Sequence, residues 1–297
     1  MGKSSTSFTS GFDEIVRSHE PLAPRTWMGI GGPAELFAEP RSVDELQSVV
    51  RRAAAEGLPI RVLGGGSNLL VRDEGVAGVV IQLSAAAFHQ IQVANQVVTA
   101  GGGARLGHVI STTVRSGLAG LETLVGIPGT IGGALHGNSG SHGGDIGQWT
   151  CQAEVMTRGG EIIQRQREEL VFAYRHSSLD ELVILQAQFE LETEDPQELT
   201  KRMQKQWIVK KASQPLAHQS AGCIFKNPRG ISAGMLIDQA GLKGTRVGGA
   251  EVSDRHANFI VVDRDASSHD VLQLIDLMRS RVAEQLGVEL ELEIEIW

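Results

Sequence analysis

The chain has 297 residues, 41% of them hydrophobic and 21% charged, and its formal net charge at pH 7 is −8. That apolar content excludes a disordered chain, and the length suggests about two domains. The acidic balance argues against nucleic acid as a partner, because no excess of positive charge would meet the phosphates. No apolar run reaches the roughly 18 residues of a membrane helix, so we expect no membrane partner either.

The two cysteines, Cys151 and Cys223, form no paired motif. Two cysteines in a chain of this size predict free thiols and a reducing compartment. The first seven residues, MGKSSTS, lack the apolar segment of a secretion signal. We therefore expect a cytoplasmic protein.

The first half of the chain alternates short strands with helices. Ser42 to Glu45 is a capping-box pattern, and the helix that it begins is expected to end at Gly57. A buried strand is predicted over Ile60–Leu63, directly before the glycine cluster at 64–68. Residues 118–149 are rich in glycine and predict a long functional loop with a short helix inside. Strands are also predicted at 79–83, 88–93 and 96–100, and a helix at 104–116.

The second half mixes strands and helices in the same way. A hairpin is predicted over 153–165, with its turn at Arg158-Gly159-Gly160. The strict alternation of Val288–Ile296 predicts a strand with one apolar face and one wet face. Because hairpins are interspersed with helices, we predict an α+β fold and exclude a doubly wound sheet. Further strands are predicted at 182–191 and 258–262, and helices at 196–211, 232–240 and 269–286.

Several common active-site patterns are missing. Gly2-Lys3-Ser4 lacks the upstream glycine and strand of a phosphate-binding P-loop. There is no HExxH motif, and the histidines show no metal-ligand spacing, so no metal site is predicted. The clusters at Gly64 and Gly101 both miss the Rossmann GxGxxG spacing. Ser232 lies in a GxSxG pattern without a buried strand before it, which favours a helix N-cap over a hydrolase nucleophile.

Two glycine clusters remain, Gly64–Asn68 and Gly126–Gly133. Consecutive backbone amides in a tight turn form a concave anion site that needs no lysine. Each cluster alone is explained equally well as a tight turn. Two in one domain favour a cofactor that carries phosphate.

Five motifs of the chain are similar to motifs of one family and occur in the same order along the sequence. The chain resembles the UDP-N-acetylenolpyruvoylglucosamine reductases from about Thr26 to its C-terminus. These flavoenzymes, with UDP-N-acetylmuramate dehydrogenase activity, reduce UDP-N-acetylenolpyruvoylglucosamine to UDP-N-acetylmuramate for bacterial peptidoglycan. The motifs are LGGGSNLL (63–70), GIPGTIGGA (126–134), YRHS (174–177), SAGCIFKNP (220–228) and HANFI (256–260).

The resemblance implies FAD as cofactor and NADPH as co-substrate, in a two-part FAD-binding domain of the vanillyl-alcohol-oxidase (PCMH) type. A smaller α+β domain would bind the substrate. The single tyrosine lies in the YRHS motif, so the chain is similar to the family form without a tyrosine-bearing loop. We expect a monomer. The expected boundaries are an N-terminal extension at 1–20, the FAD-binding domain at 21–195, a connector helix at 196–212 and the substrate domain at 213–297.

The reaction that the resemblance implies adds a hydride to the terminal enolpyruvyl carbon and a proton to the carbon beside the carboxylate. Charge that accumulates on the carboxylate needs a fixed cation, and Arg175 of the YRHS motif is the expected clamp. Cys223 stands where the family usually has the serine that donates the proton. A thiol, with an ordinary pKa of about 8.5, is the stronger acid.

Glu293 matches the glutamate near the C-terminus of the family, although Leu292 replaces the usual proline. The other glutamates of this segment, Glu289, Glu291 and Glu295, would share one strand face with it. Choosing Glu293 therefore depends on the resemblance.

The resemblance also implies binding residues. Ser213 stands where a lysine is common, and Lys210 and Lys211 are candidates to replace its charge. Expected substrate contacts are Tyr174, Arg175, Asn227, Gln239, Lys243 and His142, the last replacing a tyrosine. Expected FAD contacts are Gly64, Gly65, Gly66, Ser67, Asn68, Gly101, Gly126, Pro128, Gly129, Thr130, Gly132, Gly133 and Asn138.

Two other interpretations stay open. The first is an FAD-dependent sugar or alcohol oxidase of the same flavoprotein type, which NADPH would not bleach. The second is a nucleotide-binding module without enzymatic activity. Arg175, Cys223 and Glu293, each within its motif, favour an enzyme.

Overall fold

The structure is a computed structural model that describes residues 8–141 and 144–297. Its contacts divide the chain into two compact units, each built from segments distant in sequence. Unit 1 comprises the described residues up to Glu20, Glu35–Gly65 and Ala77–Ile208. Unit 2 comprises Pro21–Ala34, Gly66–Val76 and Val209–Trp297.

The helices lie close to where the sequence predicts them. Ser42 Oγ accepts from the N–H of Glu45 at 3.2 Å, and Gly57 ends the same helix with a φ of +67°. The predicted N-cap is therefore Ser42, while the return bond of the capping box is displaced by one residue, since the Glu45 carboxylate accepts from the N–H of Arg41 at 2.7 Å. No helix in the described ranges is both long and apolar enough to cross a membrane. The α-helices are α1 (Val43–Glu56), α2 (Leu106–Arg115), α3 (Ile131–His136), α4 (Pro196–Ser213), α5 (Ala233–Gln239) and α6 (Ser268–Leu286).

The strands are numerous and mostly short. They are β1 (Val16–Pro21), β2 (Pro33–Ala38), β3 (Ile60–Leu63), β4 (Leu69–Leu70), β5 (Val76–Gln82), β6 (Ile91–Ala94), β7 (Val97–Gly101), β8 (Leu118–Ala119), β9 (Gly140–Ser141), β10 (Gly144–Asp145), β11 (Thr150–Met156), β12 (Ile162–Gln166), β13 (Phe172–Ala173), β14 (His176–Ser177), β15 (Val183–Glu190), β16 (Glu192–Thr193), β17 (Arg246–Val247), β18 (Ala250–Val252), β19 (Ile260–Val262) and β20 (Glu295–Ile296).

Unit 1 has two apolar cores. An antiparallel sheet of order β12-β11-β15-β7-β6 packs against α2 and α3, with Phe189, Leu106 and Leu135 fully buried. The second core lies on α1 and β5, where Val49 and Ile81 are fully buried. Strands β3 and β5 pair in parallel, which places the end of β3 beside Gln82. Only Leu63 of β3 is buried, although the sequence predicts a buried strand, because β3 lies at the edge of its sheet. The glycine cluster therefore begins at a sheet edge, directly after Leu63.

Unit 2 has a single core around α5 and α6. Ile237 of α5 and Leu274 of α6 are both fully buried, together with Phe225. The antiparallel sheet β17-β18-β19 and the parallel pair β4-β20 complete the unit. Asp73 accepts from the N–H of Ser268, which fastens the start of α6.

Two predicted strands are wrong in extent. Residues 86–88 form a 3₁₀ turn, and β6 begins only at Ile91, because Phe88 is buried at the end of that turn. Only Glu295–Ile296 of the predicted terminal strand pairs as a strand, although Leu292 forms an isolated bridge with Phe225. Alternation shows which side chains face the core, whereas a strand also requires a partner along its length.

Candidate active site

The two glycine clusters expected to bind a diphosphate meet in unit 1. Gly64 and Gly65 follow β3, while Gly129 and Thr130 precede α3. A Cβ on Gly65 would lie 2.6 Å from Gly129 Cα, and one on Gly64 would lie 2.9 Å from Thr130 Oγ1. Backbones approach this closely only where the Cβ is missing. Two adjoining turns of bare backbone fit the diphosphate of the FAD that the resemblance implies.

Helix α3 is fastened to the chain around β7. Thr130 Oγ1 accepts from the N–H of Gly133 at 3.4 Å and so caps the helix. The N–H of Gly132 donates to Gly102 O at 2.8 Å, and the N–H of Leu106 donates to Gly129 O at 3.1 Å. These bonds hold the second glycine cluster in place, and Gly126 (φ +79°) and Pro128 lie at the start of that cluster.

Gly101 is explained by packing in the sheet. Its N–H donates to Gln90 O at 2.9 Å, and a Cβ here would lie 2.1 Å from Phe88 O. The next residue is as crowded, because a Cβ on Gly102 would lie 1.9 Å from Ile184 O. The contact of Gly101 with FAD stays a prediction.

Gly66, Ser67 and Asn68 belong to unit 2. Gly66 has a φ of +62°, and its C=O accepts from the N–H of Trp27 at 2.9 Å. Asn68 Nδ2 donates to Glu293 O at 3.0 Å, and Asn68 O accepts from the N–H of Glu295 at 3.0 Å. The asparagine expected among the FAD contacts therefore also holds the segment that carries Glu293.

Cys223 lies in an irregular segment that Asn258 supports. It is half-buried and forms an isolated antiparallel bridge with Phe259. The N–H of Ile224 donates to Asn258 O at 2.8 Å. The side chain of Asn258 bonds to Phe225 twice, accepting from its N–H at 3.0 Å and donating to its C=O at 2.8 Å. Buried and bonded in this way, Asn258 fixes the backbone on which the thiol stands.

Glu293 lies beside the same segment. Its N–H donates to Ile224 O at 2.8 Å, one residue after Cys223. Glu293 is half-buried, whereas Glu289, Glu291 and Glu295 are exposed, and Glu291 pairs with Lys226 Nζ at 2.5 Å. The structure thus distinguishes Glu293 from its neighbours, which the alternating sequence does not.

Three other expected substrate residues lie around α5. Asn227 Oδ1 accepts from the N–H of Ala233 at 2.9 Å, and Ser232 caps the same helix as predicted. Gln239 is exposed at the end of α5. Lys243 Nζ lies 2.7 Å from Asp238 Oδ2, an exposed ion pair of little energetic weight. Their roles toward substrate stay predictions.

Tyr174 and Arg175 form the two-residue turn between β13 and β14 in unit 1. The Tyr174 side chain is exposed, and the Arg175 guanidinium lies 5.4 Å from its ring centroid. Arg175 Nη1 donates to Gly140 O at 3.3 Å. Asn138, expected among the FAD contacts, is buried and bonds to the strand before this turn, donating to Ala173 O at 2.8 Å. The prediction for His142 lies outside the described residues.

His256 received no role from the sequence, although it begins the HANFI motif. Burial lowers its pKa below the usual 6.5, and the nearby charge of Lys243 lowers it further. Its ring packs edge-on against Phe259, with 4.8 Å between centroids. Its Nδ1 is buried without a hydrogen-bond partner among the described residues. The signal available in the sequence was the position of this histidine at the start of the HANFI motif.

Cys151 remains a structural residue. Burial raises the pKa of its thiol, with a contribution from Glu190, and Sγ donates to Gln188 O at 3.4 Å. Such a thiol is less reactive than an exposed one.

Two families match separate parts of the chain. The family described as FAD binding domain matches residues 34–165. The family described as UDP-N-acetylenolpyruvoylglucosamine reductase, C-terminal domain, matches residues 214–297.

Relatives match over nearly the whole chain. A UDP-N-acetylenolpyruvoylglucosamine reductase of Heliobacterium modesticaldum is 42% identical over 294 residues, covering 98% of this chain and 93% of the relative. The reductase of Moorella thermoacetica is 41% identical over 289 residues, covering 97% and 95%. The crystal structure of the Thermus caldophilus reductase aligns with a TM-score of 0.83 at 39% identity, covering 95% of this chain and 99% of that one.

Proposed function

Because the chain belongs to the UDP-N-acetylenolpyruvoylglucosamine reductase family, we propose that it reduces the enolpyruvyl group of that sugar nucleotide with NADPH, using Arg175, Cys223 and Glu293. The family assignment confirms the predicted α+β flavoprotein fold, FAD as cofactor and the oxidoreductase class. The oxidase interpretation is the weaker one.

The observation that carries the residue assignment is the hydrogen bond between the N–H of Glu293 and Ile224 O. It joins the backbone of Glu293, a half-buried residue, to the segment that carries Cys223. A thiol and a carboxyl group on two fastened segments suit a reaction in which one proton must reach one carbon.

FAD held by the glycine turns at 64–68 and 126–133 would supply the hydride chemistry between NADPH and the terminal enolpyruvyl carbon. The Cys223 thiol then donates its proton to the carbon beside the carboxylate, and the resulting thiolate is reprotonated by water. Arg175 binds the carboxylate and stabilises the negative charge that develops on it. Glu293 supplies a hydrogen-bonding acid beside Cys223.

Further expectations accompany this proposal. The FAD contacts are the glycine turns at 64–68 and 126–133. Asn227, Gln239 and Lys243 bind the sugar nucleotide. A cytoplasmic monomer without nucleic-acid or membrane partners stays a prediction, as do the four domain boundaries.

The experiment is an anaerobic spectroscopic titration of the purified protein. We expect a flavin spectrum that NADPH bleaches, and that the enolpyruvyl sugar nucleotide restores with one equivalent of a product two mass units heavier. Bleaching by simple sugars or alcohols, and none by NADPH, would establish the oxidase instead. A protein that is colourless and binds no added FAD would refute both functions.

A further inference from the structure

The turn that carries Arg175 holds this residue in an unusual backbone conformation. Arg175 has a φ of +55°, in the left-handed region, where a Cβ meets the neighbouring carbonyl. A residue with a side chain stays there only when the surrounding structure determines it.

Asn138 is the side chain that fastens this turn. Its Nδ2 donates to Ala173 O at 2.8 Å, directly before Tyr174, and its Oδ1 accepts from the N–H of Gly147 at 3.1 Å. Asn138 is only 2% exposed. Both ends of the carboxamide therefore join the turn to the segment after β10.

Contacts on either side of Asn138 complete the attachment. Ser177 Oγ donates to His136 O at 3.0 Å, which fastens the second strand of the hairpin. The first strand packs on Gly147, since a Cβ there would lie 2.2 Å from Phe172 Cγ. The bond from Arg175 Nη1 to Gly140 O then limits where the guanidinium can point.

We infer that Asn138 is a positioning residue for the reaction: by holding Ala173 it keeps the Tyr174–Arg175 turn in the conformation that aims the Arg175 guanidinium at the substrate carboxylate. The inference rests on the proposed function, which takes Arg175 as the carboxylate clamp. A planar guanidinium binds a carboxylate through two parallel bonds only when its orientation is fixed. The FAD contact expected for Asn138 stays a separate prediction.

Two substitutions separate the carboxamide from the backbone that bears it. Asn138 itself has a φ of +42°, so Asn138→Gly preserves the backbone conformation and removes only the side chain. Asn138→Asp keeps the volume but places a carboxylate oxygen against Ala173 O. The matched control is Asn95→Gly, because Asn95 also has a positive φ (+56°) but is exposed in the turn between β6 and β7.

The measurement is the Kd of oxidised holoenzyme for two ligands, by titration calorimetry. One is the enolpyruvyl sugar nucleotide, and the other is the same sugar nucleotide without the enolpyruvyl group. We expect Asn138→Gly and Asn138→Asp to weaken the first by about tenfold, a loss near 1.4 kcal/mol, and to leave the second within twofold. Asn95→Gly should change neither. In the Arg175→Ala background, Asn138→Gly should weaken neither ligand further.

The outcomes distinguish a failure of the Asn138 role from a failure of the Arg175 clamp. If both ligands weaken equally, or the loss persists in the Arg175→Ala background, Asn138 is merely structural and the inference is overturned. If Arg175→Ala itself leaves the enolpyruvyl ligand bound as tightly as before, the carboxylate clamp is wrong, and the inference falls with it.

Discussion

The approach of Gly65 to Gly129 gives a sharp test of the FAD-binding turns. In Gly65→Ala, the added Cβ would lie 2.6 Å from Gly129 Cα, whereas an ordinary contact begins near 3.4 Å. The two backbones must separate by about 0.8 Å. Gly65 has no positive φ, so the effect of the substitution is purely steric.

That displacement falls on a hydrogen-bonded segment. Gly129 O accepts from the N–H of Leu106 at 3.1 Å, and Thr130 begins α3, so neither turn can shift alone. Added bulk in a packed site costs about 1–3 kcal/mol. If this cost appears in FAD binding, the Kd for FAD rises roughly 5- to 150-fold.

The assay is fluorescence titration of apoprotein with FAD, together with thermal melting. Gly107→Ala is the matched control, because Gly107 lies in α2 with nothing within 4 Å of the added Cβ. We expect the control to bind FAD normally and to be equally or more stable. Gly65→Ala protein that binds FAD as tightly as wild type would refute the argument that these turns form the diphosphate site.

Three further predictions concern unit 2. Cys223→Ala should slow reoxidation of the reduced flavin by the enolpyruvyl substrate at least about 100-fold, whereas Cys223→Ser should keep most of the rate. Cys223→Ala protein that is reoxidised as quickly as wild type would exclude the thiol as the acid. Glu293→Gln should lower turnover about 100-fold. Glu291→Gln should keep turnover within about twofold of wild type, because Glu291 takes part only in an exposed ion pair. A larger loss for Glu291→Gln than for Glu293→Gln would show that the choice of glutamate is wrong. Burial holds the pKa of His256 below 6.5, so the imidazole binds a proton more readily in the unfolded chain than in the folded one. The free energy of unfolding should therefore fall as the pH falls below about 6.5. Denaturant titrations between pH 8 and pH 5 should show a smaller fall for His256→Gln, and identical pH profiles would contradict this assignment.

Much of the local structure was predictable from neighbouring residues. Helix α1 begins after Ser42 and ends at Gly57, as predicted, because a cap needs only residues within one turn. The hairpin at 153–165 forms with its turn at Gly160, whose φ is +81°. Ser232 is the N-cap of α5, as we predicted because the sequence has no strand pattern before it.

The candidate site was predictable in its motifs but not in its geometry. Glu289, Glu291, Glu293 and Glu295 alternate identically in the sequence. Glu293 differs because the fold leaves it half-buried, whereas the other three glutamates are exposed. The predicted terminal strand failed for a similar reason, since only Glu295–Ile296 finds a paired neighbour in β4.

The sequence by itself determined the elements, the family and the residue types that the chemistry needs, because helix caps, turns and motifs are short-range patterns. Only the tertiary structure decided that Gly65 meets Gly129, that Asn138 supports the Arg175 turn, and that Glu293 bonds to Ile224, the residue after Cys223. Each of these depends on contacts between residues separated by at least about 35 positions, and such contacts are set by packing rather than by any local preference.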